Sequence, residues 1–349
     1  MSSDIIEQVE IIVVDNNSSD GSSDMLQKEF PQVKCLQNVE NVGFSKANNK
    51  GVAMAQGNYV LILNPDTVIS ETTLSEMIHF SESQTDFGAA GVQFMDGSGK
   101  YLPESKRNFP NLKVAGAKLL GYSKYYYANH IQKEAIAEID ILTGAFMFIK
   151  RRVYQEVGGF DEDFFMYGED IDLSYRISKA GYKNHYVGSC KVLHFKGEST
   201  IKDKFYLTNF YGALSIFYKK HFPNNPTLYI SIDALINAII SIKSISAPPS
   251  SKPQAKCATW AYIGEDEQFF KLLKLKLPSS KGLNLKTVED EIEDVDMVFF
   301  DSSFFTYDEI IGLISKPLIE KVRKRIIYRD HSFYLGSDAS NERGEVVKL

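Results

Sequence analysis

Cysteine is scarce: Cys35, Cys190 and Cys257 stand singly in a chain of 349 residues. An odd total without a CxxC pair points to neither a disulfide framework nor a thiolate zinc site, and a reducing cytosol is the expected setting. A basic excess is missing as well. Lys and Arg number 39 against 45 Asp and Glu, a formal net charge of −6, so the attraction that carries non-specific nucleic-acid binding is absent and no nucleic-acid partner is expected. The opening stretch MSSDIIEQVE holds acids and no apolar run, which argues against a secretory signal there.

Against these absences stand a hydrophobic fraction of 44% and a charged fraction of 24%, the balance of a folded chain with ample core material. The length predicts two units, or one large domain with an appendage. From Val9 an apolar strand, turn and helix alternate. Val9 to Val14 reads as a strand, Asp15 to Asp24 as a turn into a helix ending near Pro31, and Val33 to Leu36 as a second strand. A helix from about Phe44 to Gln56 and a strand at Tyr59 to Leu63 follow. This alternation predicts an α/β fold with a largely parallel sheet. Such sheets take ligands beyond the carboxyl ends of their strands, where Asp15 and Asn64-Pro65-Asp66 stand.

Farther along, Ile141 to Ile149 is an apolar run closed by Lys150-Arg151-Arg152. Gly168-Glu169-Asp170-Ile171-Asp172-Leu173 then opens a helix whose Leu173, Ile177 and Ala180 recur at helical spacing before Gly181 ends it. Leu228 to Ile245 is largely apolar, with Asp233, Asn237, Ser241 and Ser244 on one stripe. It reads either as an amphipathic helix lying in a membrane interface or as a helix packed on the domain's own surface. Pro248 to Pro253 reads as a linker. Beyond it, strand-like Thr259 to Ile263, Met297 to Phe300 and Arg325 to Tyr328, with a helix at Tyr307 to Ser315, predict a small second α/β unit that lacks a glycine-rich nucleotide fingerprint. The division expected is therefore 1–225, 226–247, 248–256 and 257–349.

Each polar cluster has two readings. Asp15 to Ser22 can hold polar ligand groups or be an Asx-rich turn capping the next helix. In Asn64-Pro65-Asp66-Thr67, Pro65 fixes the backbone so that Asn64 and Asp66 share a side. One carboxylate plus diphosphate oxygens suits Mg²⁺ or Mn²⁺; the alternative is again a turn. Glu169, Asp170 and Asp172 are explained by the helix macrodipole, although a lone carboxylate facing a cleft also serves as a general base. His194 is a metal ligand or a structural histidine.

The pieces VEIIVVDNNSSDGS, NVGFSKANNKG, YVLILNPDT, LTGAFMFIKR, GGFDEDFFMYGEDIDLSYRISKAGY and HFKGEST follow one another between residues 9 and 222. In that order they resemble a nucleotide-sugar glycosyltransferase of family 2, most of all its rhamnosyltransferase-like branch. The resemblance implies a GT-A-type sheet sandwiched by helices, acting by inversion on a UDP- or dTDP-sugar. Asp15 would contact the base or ribose, and Asn41, Gly43 and Asn49 would shape the nucleotide cleft. Asp66, beside Asn64, would bind a divalent metal bridging the diphosphate, with His194 next to it. Asp170 would deprotonate the acceptor hydroxyl, while Gly144, Ala145 and Glu169 would line the acceptor side.

Two departures accompany the match. Asn64 stands where many family members carry an acid, which leaves fewer charges on the metal, and the strand and helix that usually precede the position of Val9 in the family are missing. That second departure predicts an exposed sheet surface beside Val9 to Val14. The implied role is envelope or exopolysaccharide assembly in a bacterium, at the inner face of the cell membrane, on a glycan or lipid-linked acceptor; the rival is a catalytically inactive remnant or scaffold. Residues 257–349 resemble a small α/β extension of some envelope glycosyltransferases, read as an interaction or stabilising module.

Overall fold

The computed structural model describes residues 8–111, 114, 122, 124–196, 204–224, 230, 233–234, 236, 257–277, 281–287, 292, 295–328, 332–340 and 344–349. The chain begins with β1 (Ile12–Asp15), α1 (Ser22–Glu29), β2 (Lys34–Gln37) and α2 (Phe44–Met54). It continues through β3 (Tyr59–Leu63), β4 (Thr67–Val68), α3 (Thr73–Glu82), β5 (Phe87–Met95), β6 (Ile136–Glu138) and β7 (Phe146–Lys150). Then come α4 (Arg151–Glu156), α5 (Glu169–Lys179), β8 (Lys183–His194) and α6 (Lys204–His221).

The expectation of a largely parallel sheet is corrected. The main sheet has the order β3-β7-β5-β8-β4, with β6 also on β8, and within it only the β5–β8 pair is parallel. The reason is that β5 and β7 are buried along nearly their whole length. Their largely apolar sequences carry no sign of direction, and antiparallel neighbours need no crossover helix. β1 and β2 pair in parallel as a separate two-stranded sheet. Glu10 ties that sheet to the turn before β3: its carboxylate pairs with Lys34 at 2.8 Å and accepts from the Gly57 N–H at 2.9 Å. α2 lies against β1, where a Cβ added to Gly51 would come within 3.1 Å of a Val14 methyl.

The C-terminal unit contains β9 (Thr259–Ile263), α7 (Glu267–Lys276), β10 (Lys281–Leu285), β11 (Met297–Asp301), α8 (Tyr307–Ile314), β12 (Arg323–Tyr328), β13 (Phe333–Gly336) and β14 (Glu345–Lys348). Its sheet, β10-β9-β11-β12-β13-β14, is parallel through β12 and antiparallel after it. The core of this unit is shared with the first sheet: Met95, Leu193 and Phe195 pack in one cluster with Ala261, Ile263, Val298, Phe300, Ile310 and Ile311, and Val68 joins them. Contact across that seam fixes the end of β8, which carries His194.

Most of the Leu228 to Ile245 stretch and all of the linker lie outside the described residues. Within the stretch, Ile236 is buried against α6 and Asp233 pairs with Lys219 at 2.8 Å. Among the described residues no helix is long and apolar enough to cross a membrane.

Candidate active site

Two strand pairings assemble the site. Leu63, the last residue of β3, lies opposite Phe146, the first of β7, so Asn64 meets Ala145, and the Asn64 N–H donates to the Ala145 carbonyl at 3.0 Å. Thr67 pairs with His194, and the Phe195 N–H donates to the Asp66 carbonyl at 2.9 Å. Residues far apart in the chain thus share one sheet end.

Asp66 Oδ1 sits 3.3 Å from His194 Nε2, with both side chains largely buried. Asp66 Oδ1 and His194 Nδ1 are buried without a hydrogen-bond partner among the described residues. A carboxylate oxygen left unsatisfied at a buried site is costly, and a cation would satisfy it. The pair therefore fits a divalent ion that takes its other ligands from substrate phosphate and water. Among the described residues no group of three or more His, Cys, Asp or Glu could hold a metal by itself.

On the other side of Ala145, the Gly144 N–H donates to Asp170 Oδ2 at 3.1 Å. Asp170 lies in the first turn of α5, entered through Gly168 at φ +82°, where a Cβ would come within 2.7 Å of the Ala213 Cβ. Only glycine fits there. Asp170 Oδ1 accepts from the Ile171 N–H at 2.8 Å, and Oδ2 also accepts from Arg107 Nη2 at 2.6 Å. Next to it Glu169 is buried, its Oε2 without a hydrogen-bond partner among the described residues. Burial first, and the adjacent Asp170 second, push its carboxyl up to about 8.

The residues expected to border a nucleotide form a polar network at the end of β1. Asp15 is buried and accepts from the Ser18 N–H at 3.1 Å and the Ser23 hydroxyl at 2.6 Å. Burial opposes its charge, yet these bonds hold the carboxyl below its ordinary value. Asn16 reaches across to the loop before α2, donating to Asn41 Oδ1 at 2.8 Å and accepting from the Val42 N–H at 3.1 Å. Gly43, at φ +85°, lies so close to Phe165 that a Cβ would meet its carbonyl at 2.5 Å, and the Phe44 N–H donates to that carbonyl at 2.7 Å. The loop leading to the Glu-Asp pair is thereby pinned to the turn before α2. The Asn49 amide holds Phe160 O, the Phe160 N–H and the Tyr154 hydroxyl, so these bonds tie α2 to α4 and the loop after it.

Sequence reasoning missed Arg107 and Asn38. Asn38, just past β2, donates to Asn16 Oδ1 at 3.1 Å, and nothing in SKRNFP distinguishes Arg107 from a solvated charge. Between the loop before α5 and helix α6 lies a hollow lined by Phe164, Phe165, Ala213 and Ile236 together with polar Asp163, Asn209, Ser215 and Asp233.

With this geometry in view, comparison with known proteins is informative. The family described as "Glycosyltransferase like family 2" matches residues 2–207. N-acetylglucosaminyl-diphospho-decaprenol L-rhamnosyltransferase of Mycobacterium tuberculosis is 29% identical over 213 residues, which are 56% of this chain and 69% of that protein. Rhamnosyltransferase WbbL of Escherichia coli K12 is 32% identical over 203 residues, 54% of this chain and 74% of that protein. The family match takes in Asp15, Asp66, Asp170 and His194. The chain belongs to glycosyltransferase-like family 2 and is a glycosyltransferase.

Proposed function

We propose that this enzyme moves a sugar, with inversion, from a UDP- or dTDP-linked donor to a hydroxyl of a glycan or lipid-linked acceptor in bacterial envelope or exopolysaccharide synthesis. The observation that carries the reading is the short bridge Asn64–Ala145–Gly144–Asp170. It links the segment that carries Asp66, itself 3.3 Å from His194, to a carboxylate suited to proton removal. Displacement at a sugar carbon needs both: a base for the incoming hydroxyl and neutralisation of the departing diphosphate. Mg²⁺ or Mn²⁺ at Asp66 and His194 would supply that neutralising charge when bound. Asp170 orients and deprotonates the acceptor, Gly144 leaves room for it, and the Asp15–Asn16–Asn41–Gly43 network borders the nucleoside. The names of the two rhamnosyltransferases favour a dTDP-deoxyhexose donor. The hollow beside α5, part apolar and part polar, would admit part of an acceptor, which we take to be carried on a lipid at the inner membrane face.

A second reading, a non-catalytic scaffold, draws support from β1 and β2 standing apart from the main sheet, which leaves the floor beneath a nucleotide divided. One assay separates the two. The purified chain is incubated with dTDP-rhamnose or UDP-sugars, a synthetic polyprenyl-diphosphate N-acetylglucosamine and Mg²⁺ or Mn²⁺, and products are weighed by mass spectrometry. Glycosylated acceptor is expected, with Asp170→Asn slowing transfer about 10²- to 10⁴-fold while donor binding persists. No product with any donor supports the scaffold, and undiminished transfer by Asp170→Asn removes that residue from the base role.

A further inference from the structure

Arg107 belongs to none of the family-like motifs, yet it is the charged side chain in direct contact with Asp170. It sits in the segment between β5 and β6, where its backbone forms bridges to Tyr127 and Ile141. Its side chain is 9% exposed. Nη2 donates to Asp170 Oδ2 and to the Leu142 carbonyl, and Nη1 donates to the Tyr126 hydroxyl at 3.2 Å. Burial disfavours its charge, but the Asp170 carboxylate outweighs that and holds the guanidinium protonated more firmly than free arginine.

Counting lone pairs shows what this contact does to Asp170. An ionised carboxylate has about four acceptor sites. Two on Oδ2 are taken by Arg107 and the Gly144 N–H, and one on Oδ1 by the Ile171 N–H. One site remains, on Oδ1. The other groups around the pair are accounted for: Glu169 is the adjacent buried carboxyl, Tyr126 and Tyr127 lie on the Arg107 side with Glu104 behind Tyr127, and Asp172 is bound to Arg176 and His221. Two neighbouring buried carboxyls beside a single guanidinium cannot both ionise cheaply. The one that Arg107 touches takes the charge.

We propose that Arg107 is a positioning residue of the transfer site, fixing Asp170 as the ionised carboxylate with Oδ1 as the oxygen that receives the acceptor proton, and leaving a proton on Glu169. This rests on the reading of Asp170 as the base. In the proton transfer, the acceptor O–H bond breaks and an O–H bond forms at Asp170 Oδ1. The hydroxyl oxygen keeps the electron pair with which it attacks the sugar carbon, and the nucleotide diphosphate leaves with the pair of the broken glycosidic bond.

The test uses the full chain with ¹³C-labelled aspartate and glutamate carboxyls, followed by NMR across pH, with Asp170→Asn and Glu169→Gln identifying the two signals. Arg107→Met is expected to raise the titration midpoint of Asp170 by about one pH unit or more and that of Glu169 by less, since the guanidinium also favours the Glu169 charge from farther away, with Arg107→Lys between it and wild type. Should Arg107→Met fail to fold, Arg107→Lys and Tyr126→Phe, which loosens the guanidinium without removing it, are expected to move the same signals in the same directions. With a transferable donor and acceptor, Arg107→Lys should lower kcat more than it changes KM and shift the acid limb of the rate profile upward. Midpoints unchanged in every folded Arg107 and Tyr126 variant would overturn the proposal. Full transfer by Asp170→Asn would instead strike the base reading, leaving the NMR result to report separately on the ion pair.

Discussion

The carboxylate of Glu71 accepts hydrogen bonds from the backbone N–H groups of Tyr307, at 2.9 Å, and Asp308, at 3.1 Å. A helix of the C-terminal unit, α8, therefore begins on a side chain of the first unit. Thr306 and Glu309 form a capping box at the same helix start, so Glu71 satisfies donors that the box leaves over. Lys324 Nζ to the Ser98 carbonyl at 2.9 Å adds a second polar tie across the seam.

Removing that cap should loosen the seam. Glu71→Ala is expected to destabilise the chain by about 1–2 kcal/mol and to increase protease nicking between the units. Thermal melts and limited proteolysis check this. Unchanged melting and cleavage would mean that the shared apolar core alone holds the two units together.

Metal binding should require the Asp66–His194 pair. Mn²⁺ titrated into the chain with UDP or dTDP present, followed by electron paramagnetic resonance, is expected to show one bound ion. Asp66→Ala should abolish that binding and His194→Ala should weaken it, with transfer lost in EDTA and regained with Mg²⁺ or Mn²⁺. Equal binding by both variants would place the ion elsewhere.

Glu169 makes stability fall as pH rises. Its carboxyl lies at about 8 in the folded chain against an ordinary 4.5, because burial, and then the neighbouring Asp170, disfavour its charge. Below the ordinary value both folded and unfolded chains carry the proton and the residue costs nothing. The cost grows as pH climbs between the two values and is complete above the folded one. Glu169→Gln should therefore stabilise the chain by up to a few kcal/mol at about pH 9 and leave it nearly unchanged at about pH 4. Urea titrations at both values test the sign; an equal difference at both would show that Glu169 does not titrate in this window.

If Leu228 to Ile245 lies in a membrane interface, the chain should float with anionic liposomes, and Leu235→Asp with Ile239→Asp should release it. The buried Ile236 and the Asp233–Lys219 pair favour the competing outcome for that part of the stretch, equal flotation of both proteins or of neither.

Local order was legible in the amino-acid sequence. Tyr59–Leu63 and Thr259–Ile263 form strands with the bounds read from their apolar runs. The helix carrying Glu169 and Asp170 runs to Lys179, with Gly181 at φ +92° just past its end, because left-handed backbone after a helix is a property of glycine itself. The family motifs likewise singled out Asp66, Asp170 and His194 as separate points. Their assembly came only with tertiary structure. Strand direction within the main sheet could not be read, since strands buried on both faces lose the alternation that marks a side or a neighbour. Nor could the seam between the units, which joins Val68, Leu193 and Phe195 to a core more than sixty residues downstream. Arg107 shows the reason most plainly: a single arginine in a polar loop has no sequence signature of burial, and it acquires its role only when Tyr126, Leu142 and Asp170 close around it. Short-range propensity acts between residues a few positions apart, whereas an enclosed ion pair depends on which distant segments exclude water together.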